Sequence, residues 1–166
     1  MSLTAVARGP VRLQEQVPGD DPMWEGTGFS LREPLRVDLE AAEVGEGVLV
    51  RGEFEGTVEA ECRRCLTQVP VKLRDRVDML FESLTGSETE ELAGEVYPLP
   101  ARGDVLDVSE AFREQVLLRM PDYVLCSEEC RGLCPQCGTD LNRATCDCAP
   151  AAEPTAWEAL KKIRFD

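Results

Sequence analysis

The sequence predicts an α+β fold in which an antiparallel sheet with a packed helix is followed by a cysteine-rich lobe and a short C-terminal helix. Two observations lead to this prediction: a long stretch in which apolar and charged residues alternate, and a run of cysteines in a segment with few apolar residues. Alternation at period two is typical of strands with one dry face, whereas a segment that lacks apolar residues needs cross-links in order to fold. We therefore expect a sheet body and a separate lobe held by its cysteines.

The alternation is clearest between residues 48 and 81. Apolar residues fall at even positions from Val48 to Cys62, and they fall at odd positions from Val69 to Phe81. The change of parity predicts two antiparallel strands with the turn Cys62-Arg63-Arg64-Cys65 at their tip. A shorter alternation that begins at Leu35 predicts a preceding strand.

Two helices and the boundaries of the segments complete the predicted organisation. Asp107 begins a helix-start pattern, and apolar residues at helical spacing predict a helix of about three turns that ends at Pro121. Near the end of the chain, Trp157, Leu160 and Ile163 share one side of a short amphipathic helix. We expect an N-terminal arm at 1–34, a body at 35–125 with an acidic loop at 82–106, a cysteine-rich lobe at 126–150 and a C-terminal helix at 151–166.

Composition limits the chemistry of the chain. Its 166 residues include no histidine and carry a net charge of −14. The absence of histidine excludes Ser-His and Cys-His nucleophile arrangements and every metal site that contains histidine. A run of apolar residues long enough to span a membrane is missing, and so is an export-signal pattern, so we expect a cytoplasmic protein. The negative charge favours basic protein partners over nucleic acid, whose affinity depends on positive charge.

Eight cysteines are the strongest chemical signal. A reducing compartment favours metal ligation over disulfides, and two of the pairs have the two-residue spacing of zinc knuckles. Eight thiolates supply two closed tetrahedral sites, so we expect about two structural zinc ions. The first partition places Cys62, Cys65, Cys126 and Cys130 on one ion and Cys134, Cys137, Cys146 and Cys148 on the other. The rival joins the two knuckles, Cys62, Cys65, Cys134 and Cys137, and leaves the other four together. We favour the first because its second set closes only short loops.

A group of basic residues follows the hairpin tip and its second strand. They are Arg63, Arg64, Lys72, Arg74 and Arg76, with Asp75 as the single acid among them. This group is either an ordinary solvated face or the place where an acidic protein meets RNA phosphate or an acidic partner. A metal-dependent hydrolase finds no support, because the acidic residues form no catalytic signature. A thiol- and zinc-based redox sensor remains the alternative from another class.

Three segments resemble the YceD family, the large ribosomal RNA subunit accumulation proteins. They are the hairpin tip Glu61-Cys62-Arg63-Arg64-Cys65-Leu66, the cysteine-rich run from Leu125 to Asn142, and the closing Trp157-x-x-Leu160. The resemblance extends over about residues 35–165. It implies a ribosome-biogenesis factor that supports accumulation of the large-subunit ribosomal RNA. Together with the composition, it predicts a non-enzymatic protein that binds the RNA precursor or a basic ribosomal protein, with neither a membrane nor a small-molecule substrate.

Overall fold

The computed structural model describes residues 1–28, 30–83 and 96–148. Its body is a mixed sheet of five strands in the order β1-β2-β3-β4-β5. The strands are β1 (Val11–Val17), β2 (Leu35–Val44), β3 (Gly47–Glu61), β4 (Gln68–Glu82) and β5 (Tyr97–Pro98). The helical elements are α1 (Leu3–Val6), the 3₁₀ helix η1 (Pro22–Trp24) and α2 (Ser109–Leu117).

The central hairpin of β3 and β4 confirms the alternation in the sequence. The strands pair antiparallel from Val48 opposite Phe81 to Glu61 opposite Gln68, which leaves the first cysteine pair at the tip. Even positions of β3 and odd positions of β4 share one face, and Val50, Phe54 and Val77 on that face are at most 1% exposed. Burial of this apolar face stabilises the sheet and fixes the register of its strands.

The sheet differs from the antiparallel arrangement that the sequence predicts. The two-residue β5 runs parallel to β4, with Tyr97 opposite Phe81, so the sheet is mixed. In addition, β1, which lies within residues 1–34, pairs along its whole length with β2. The alternation in β1 is broken at Glu15, which stands opposite the buried Val37. That single charge hides the period-two signal of a seven-residue strand.

Helix α2 is shorter than predicted. It has nine residues and ends at Leu117, four residues before Pro121. Its Phe112 ring meets the Phe54 ring edge-on at a centroid distance of 5.8 Å. The structure gives little support to the predicted packing of a helix on the sheet, since α2 is the only α-helix of more than four residues in the described parts of the chain.

Two predicted segments fall on residues that the structure does not describe. The C-terminal helix at 151–166 lies outside the described residues, and so does most of the acidic loop, from 84 to 95. None of the helices in the described ranges has the length and apolarity needed to cross a membrane. The cysteine-rich segment is described as far as Cys148, which brings all eight cysteines into the structure.

Candidate metal centres

The two knuckles are built with the same backbone hydrogen bonds. In the first, Cys62 N donates to Thr67 O at 2.9 Å and Leu66 N donates to Cys62 O at 2.9 Å. In the second, Cys134 N donates to Thr139 O at 2.8 Å and Gly138 N donates to Cys134 O at 2.9 Å. Each turn therefore presents two sulfur atoms on one side, which is the arrangement that a tetrahedral metal site needs.

The first cluster joins the hairpin tip to the segment that follows α2. Its members are Cys62, Cys65, Cys126 and Cys130, whose Sγ atoms all lie within 4.8 Å of one another. The Sγ atoms of Cys62 and Cys130 are 3.8 Å apart, and those of Cys65 and Cys126 are 3.5 Å apart. Zinc–sulfur bonds of about 2.3 Å place tetrahedral sulfurs about 3.8 Å apart, so the four thiols fit one ion. Three of the four are buried, and Cys126 is exposed.

The second cluster is local and more open. It consists of Cys134, Cys137, Cys146 and Cys148, again with every pair of Sγ atoms within 4.8 Å. Only Cys134 is buried, whereas Cys137 and Cys148 are exposed. The structure thus groups the eight cysteines as in the first predicted partition. The rival partition, which places the two knuckles on one ion, is not observed. Four thiols grouped this closely suit a soft divalent ion.

Electrostatics within each cluster also favours a cation. Burial raises the pKa of the Cys62 thiol, but backbone N–H groups of Cys126, Cys65 and Arg64 outweigh it and bring that pKa to about 6. Side-chain hydrogen bonds to the sulfurs of Cys130 and Cys65 favour the protonated thiol of Cys126 and raise its pKa to about 12. A side-chain hydrogen bond to Cys137 likewise raises the pKa of Cys148 to about 12. A divalent ion would allow all four thiols of a cluster to be ionised together.

Two of the predicted binding residues have a structural role at the junction. Arg63 donates from Nε to Asp122 O at 3.0 Å, and its backbone N–H donates to Val124 O at 2.9 Å. Arg64 donates from one guanidinium nitrogen to Cys130 O at 2.9 Å and Glu128 O at 3.3 Å. These bonds satisfy carbonyl groups of the irregular segment beside the first cluster. The sequence pattern does not predict them, because their acceptors are backbone atoms about 60 residues away along the chain.

The other three basic residues lie on the solvent face of the sheet. Lys72, Arg74 and Arg76 stand on β4 opposite Thr57, Glu55 and Glu53. Arg74 also forms an ion pair with Glu53 at 3.3 Å. The five predicted residues therefore do not form one patch, because two of them bind the lobe and three lie among carboxylates. Whether any of the five binds a partner stays a prediction.

Three further residues support the clusters and were missed in the sequence. Thr67 and Thr139 each follow a knuckle by two residues, with Oγ1 at 3.4 Å from Cys65 Sγ and 3.1 Å from Cys137 Sγ. The repeated Cys-x-x-Cys-x-Thr pattern carries this signal. Asn142 lies between Cys137 and Cys146 of the second cluster along the chain, yet its Nδ2 donates to Cys130 Sγ of the first cluster at 3.4 Å. No spacing in the sequence indicates that contact, which links the two clusters directly.

The region that is similar to known proteins includes both cysteine clusters and the hairpin tip. The sequence model of a family described as "Large ribosomal RNA subunit accumulation protein YceD" matches residues 50–164, which include every cysteine. A protein of Arabidopsis thaliana named large ribosomal RNA subunit accumulation protein YCED homolog 1, chloroplastic, is 23% identical over 160 residues. That match covers 79% of this chain and 49% of the plant protein. No solved structure matches the chain.

Bacterial relatives are more similar in sequence. An uncharacterized protein of Mycobacterium tuberculosis is 35% identical over 111 residues, which cover 64% of this chain and 51% of that protein. One of Mycobacterium leprae is 34% identical over 112 residues, covering 65% of this chain and 49% of that protein. The chain spans about half the length of the curated relatives that it matches. Since the family match covers more than half of the chain, including the hairpin and both cysteine clusters, the chain belongs to the YceD family.

Proposed function

We propose that the chain is a cytoplasmic, non-enzymatic ribosome-biogenesis factor that supports accumulation of the large-subunit ribosomal RNA. It binds pre-ribosomal RNA or a basic ribosomal protein, and two zinc ions hold its binding surfaces in place. Membership of the YceD family supports the biological role. The grouping of all eight cysteines into two closed sets of four supports the structural role of zinc.

The geometry of the first cluster is the observation that carries this proposal. The cluster connects the tip of the longest hairpin to the segment after α2, and the lobe beyond it has few apolar residues of its own. Four thiolates complete the coordination of a zinc ion, whereas catalytic zinc keeps one position for water. The ion therefore supplies the cross-link that orders the lobe and leaves no position for a substrate.

Between the two kinds of partner, the charges of the described surface favour a protein. On the solvent face of the sheet, Arg36 pairs with Glu55 at 3.1 Å, and Arg74 pairs with Glu53 at 3.3 Å. This alternation of charge across β2, β3 and β4 leaves no broad positive surface for a phosphate backbone. A basic ribosomal protein, by contrast, is attracted by a chain with a net charge of −14.

A redox-sensing role is the second candidate, and the second cluster favours it. Cys137 and Cys148 are exposed, so oxidants reach their sulfur atoms more readily than those of the first cluster. Thiol titration with and without a chelator separates the two roles. A sensor exposes reactive thiols before chelation, whereas a structural site exposes them only after its metal has been removed.

Loss of the chain from its native cells is expected to lower the ratio of large-subunit to small-subunit ribosomal RNA. The parent chain restores the ratio, and the double variant C62S/C65S does not, because the lobe is no longer held. Quantitative electrophoresis of the two RNA species measures the effect. An unchanged ratio in cells that lack the chain would contradict the proposed role.

Two matched triple variants separate RNA from protein as the partner. The first changes Lys72, Arg74 and Arg76 to Gln, and the control changes Arg12, Arg36 and Arg51 to Gln on the neighbouring strands of the same face. Both remove three positive charges, so any difference in sedimentation with the large-subunit precursor reports a local contact. We expect equal retention of the two variants. A selective, salt-dependent loss with the first would instead identify β4 as an RNA-binding strand.

A further inference from the structure

Leu66 has a backbone conformation that its side chain disfavours. It follows the second cysteine of the first knuckle with φ at 58°, and among the described residues other than glycine no second one has a positive φ. In this left-handed region Cβ approaches the following carbonyl oxygen, so glycine or asparagine is normally found there. The second knuckle is an internal comparison, because Gly138 occupies the equivalent position with φ at 73°. The turn thus requires the conformation but does not require a leucine.

Packing of the free protein does not explain the leucine either. Leu66 is 58% exposed. The apolar residues packed against the first cluster are Val69, Leu125 and Leu133, and Leu66 is not among them. A residue that is both strained and exposed makes no favourable contribution to folding, and such residues are concentrated at functional sites. A contact with another molecule would account for a leucine at this position.

A groove lies next to Leu66. It has a volume of about 400 Å³ and runs between the end of β3, the knuckle and the segment after α2. Its apolar lining comes from Ala60, Leu66, Met120, Pro121 and Val124. Tyr123, between two of the lining positions, is 64% exposed. Leu66 and Tyr123 thus expose large side chains at a groove whose lining is partly apolar and partly polar.

The charges around the groove indicate what kind of partner it takes. Glu59 is paired with Arg32 at 3.4 Å, whereas Glu61 and Asp122 form no ion pair with a described residue. Among the described residues that line the groove, Arg63 is the single cation, and its Nε already donates to Asp122 O at 3.0 Å. The excess of negative charge repels a phosphate backbone and attracts a basic protein surface.

We propose that Leu66 and this groove, hereafter the knuckle groove, form the docking site for a basic protein of the large-subunit precursor. The partner inserts an apolar side chain beside Leu66, and its surrounding Lys and Arg residues meet Glu61 and Asp122. Apolar anchors surrounded by complementary charge are the usual centre of a protein interface. This inference rests on the proposed function and specifies where its protein partner binds.

Leu66→Gly separates binding from folding because its two effects have opposite signs. Glycine relieves the left-handed strain, so the free variant should unfold at the parent's temperature or above it. Since the complex buries the Leu66 side chain, its removal should weaken association with purified large-subunit precursor particles roughly ten- to a hundredfold. Leu66→Asn tests the same point, because asparagine tolerates this conformation without the apolar contact. Val44→Asn is the control, since Val44 is 48% exposed at the end of β2, opposite Gly47 and far along β3 from the knuckle.

The class of partner is identified by a photoreactive phenylalanine analogue placed at position 66, with the same analogue at position 44 as control. We expect cross-links to a peptide of a basic large-subunit protein from position 66 only. Cross-links to ribosomal RNA, to residues 149–166 of the same chain or to a second copy would overturn the inference, as would equal cross-linking from both positions. If Leu66→Gly sediments with the particles as the parent does, the docking site is wrong and the proposed function stands. If the parent itself does not sediment with them, both fail.

Discussion

Replacement of Cys62 by serine is expected to remove one metal ion per chain and to release the lobe from the hairpin. Cys62 is fully buried, and its Sγ lies 3.8 Å from that of Cys130. Structural zinc sites bind with apparent free energies of roughly 10–16 kcal/mol, and this energy is available for folding only while the ligand set is complete. Since Arg63 and Arg64 bond to carbonyl groups of the lobe, those hydrogen bonds should be lost as well.

Cys148→Ser is the matched control for this prediction. Cys148 is exposed and belongs to the second cluster, so its loss should release one ion but leave the junction at the hairpin intact. Elemental analysis combined with amide hydrogen exchange measures both effects. We expect loss of protection at the β3–β4 tip in C62S and little change there in C148S. Equal loss of protection at the tip in both variants would show that the two clusters do not act separately.

Gly52→Ala is expected to lower the free energy of unfolding by about 3 kcal/mol, the upper part of the usual range for overpacking. Gly52 lies in the middle of β3 opposite Leu39 of β2. A Cβ atom at this position would lie 2.8 Å from Leu39 Cα and would also meet Asp38 O. Both are backbone atoms of the neighbouring strand, so the clash is relieved only if β2 and β3 move apart.

Gly56→Ala on the same strand is the control. There an added Cβ would meet Leu35 Cδ1 at 2.7 Å, the end of a side chain that can change rotamer. Chemical denaturation of the metal-loaded protein compares the two variants. We expect the midpoint of G52A to fall well below that of G56A. Equal midpoints would mean that β2 and β3 are not as close at Gly52 as the structure shows.

The sequence predicted the central hairpin because one physical rule governs it. The apolar residues at even positions of β3 and at odd positions of β4 lie on the buried face, so parity alone determined which side each of them faces. The grouping of the cysteines was predictable for a similar reason, since short loops cost little entropy to close. Both arguments depend on local patterns, which a single sequence contains.

Features that depend on contacts distant in sequence were missed. Strand β1 was not predicted because Glu15 interrupts its alternation, and its pairing with β2 is what identifies it as a strand. The hydrogen bond from Asn142 to Cys130 has no sequence signature. The conformation of Leu66 was also not predicted, because a leucine gives no indication of a positive φ. The repeated Cys-x-x-Cys-x-Thr pattern would have revealed it, since its second copy has glycine at that position.

The metal content of the purified chain tests the central claim most directly, because both the fold of the lobe and the proposed docking site depend on the clusters. Elemental analysis of protein purified without added metal should give two zinc ions per chain, one for each set of four thiols. Thiol titration of the same sample should find few reactive cysteines before chelation and all eight after chelation and denaturation. Fewer than one metal ion per chain, together with eight thiols that react at once, would contradict the account.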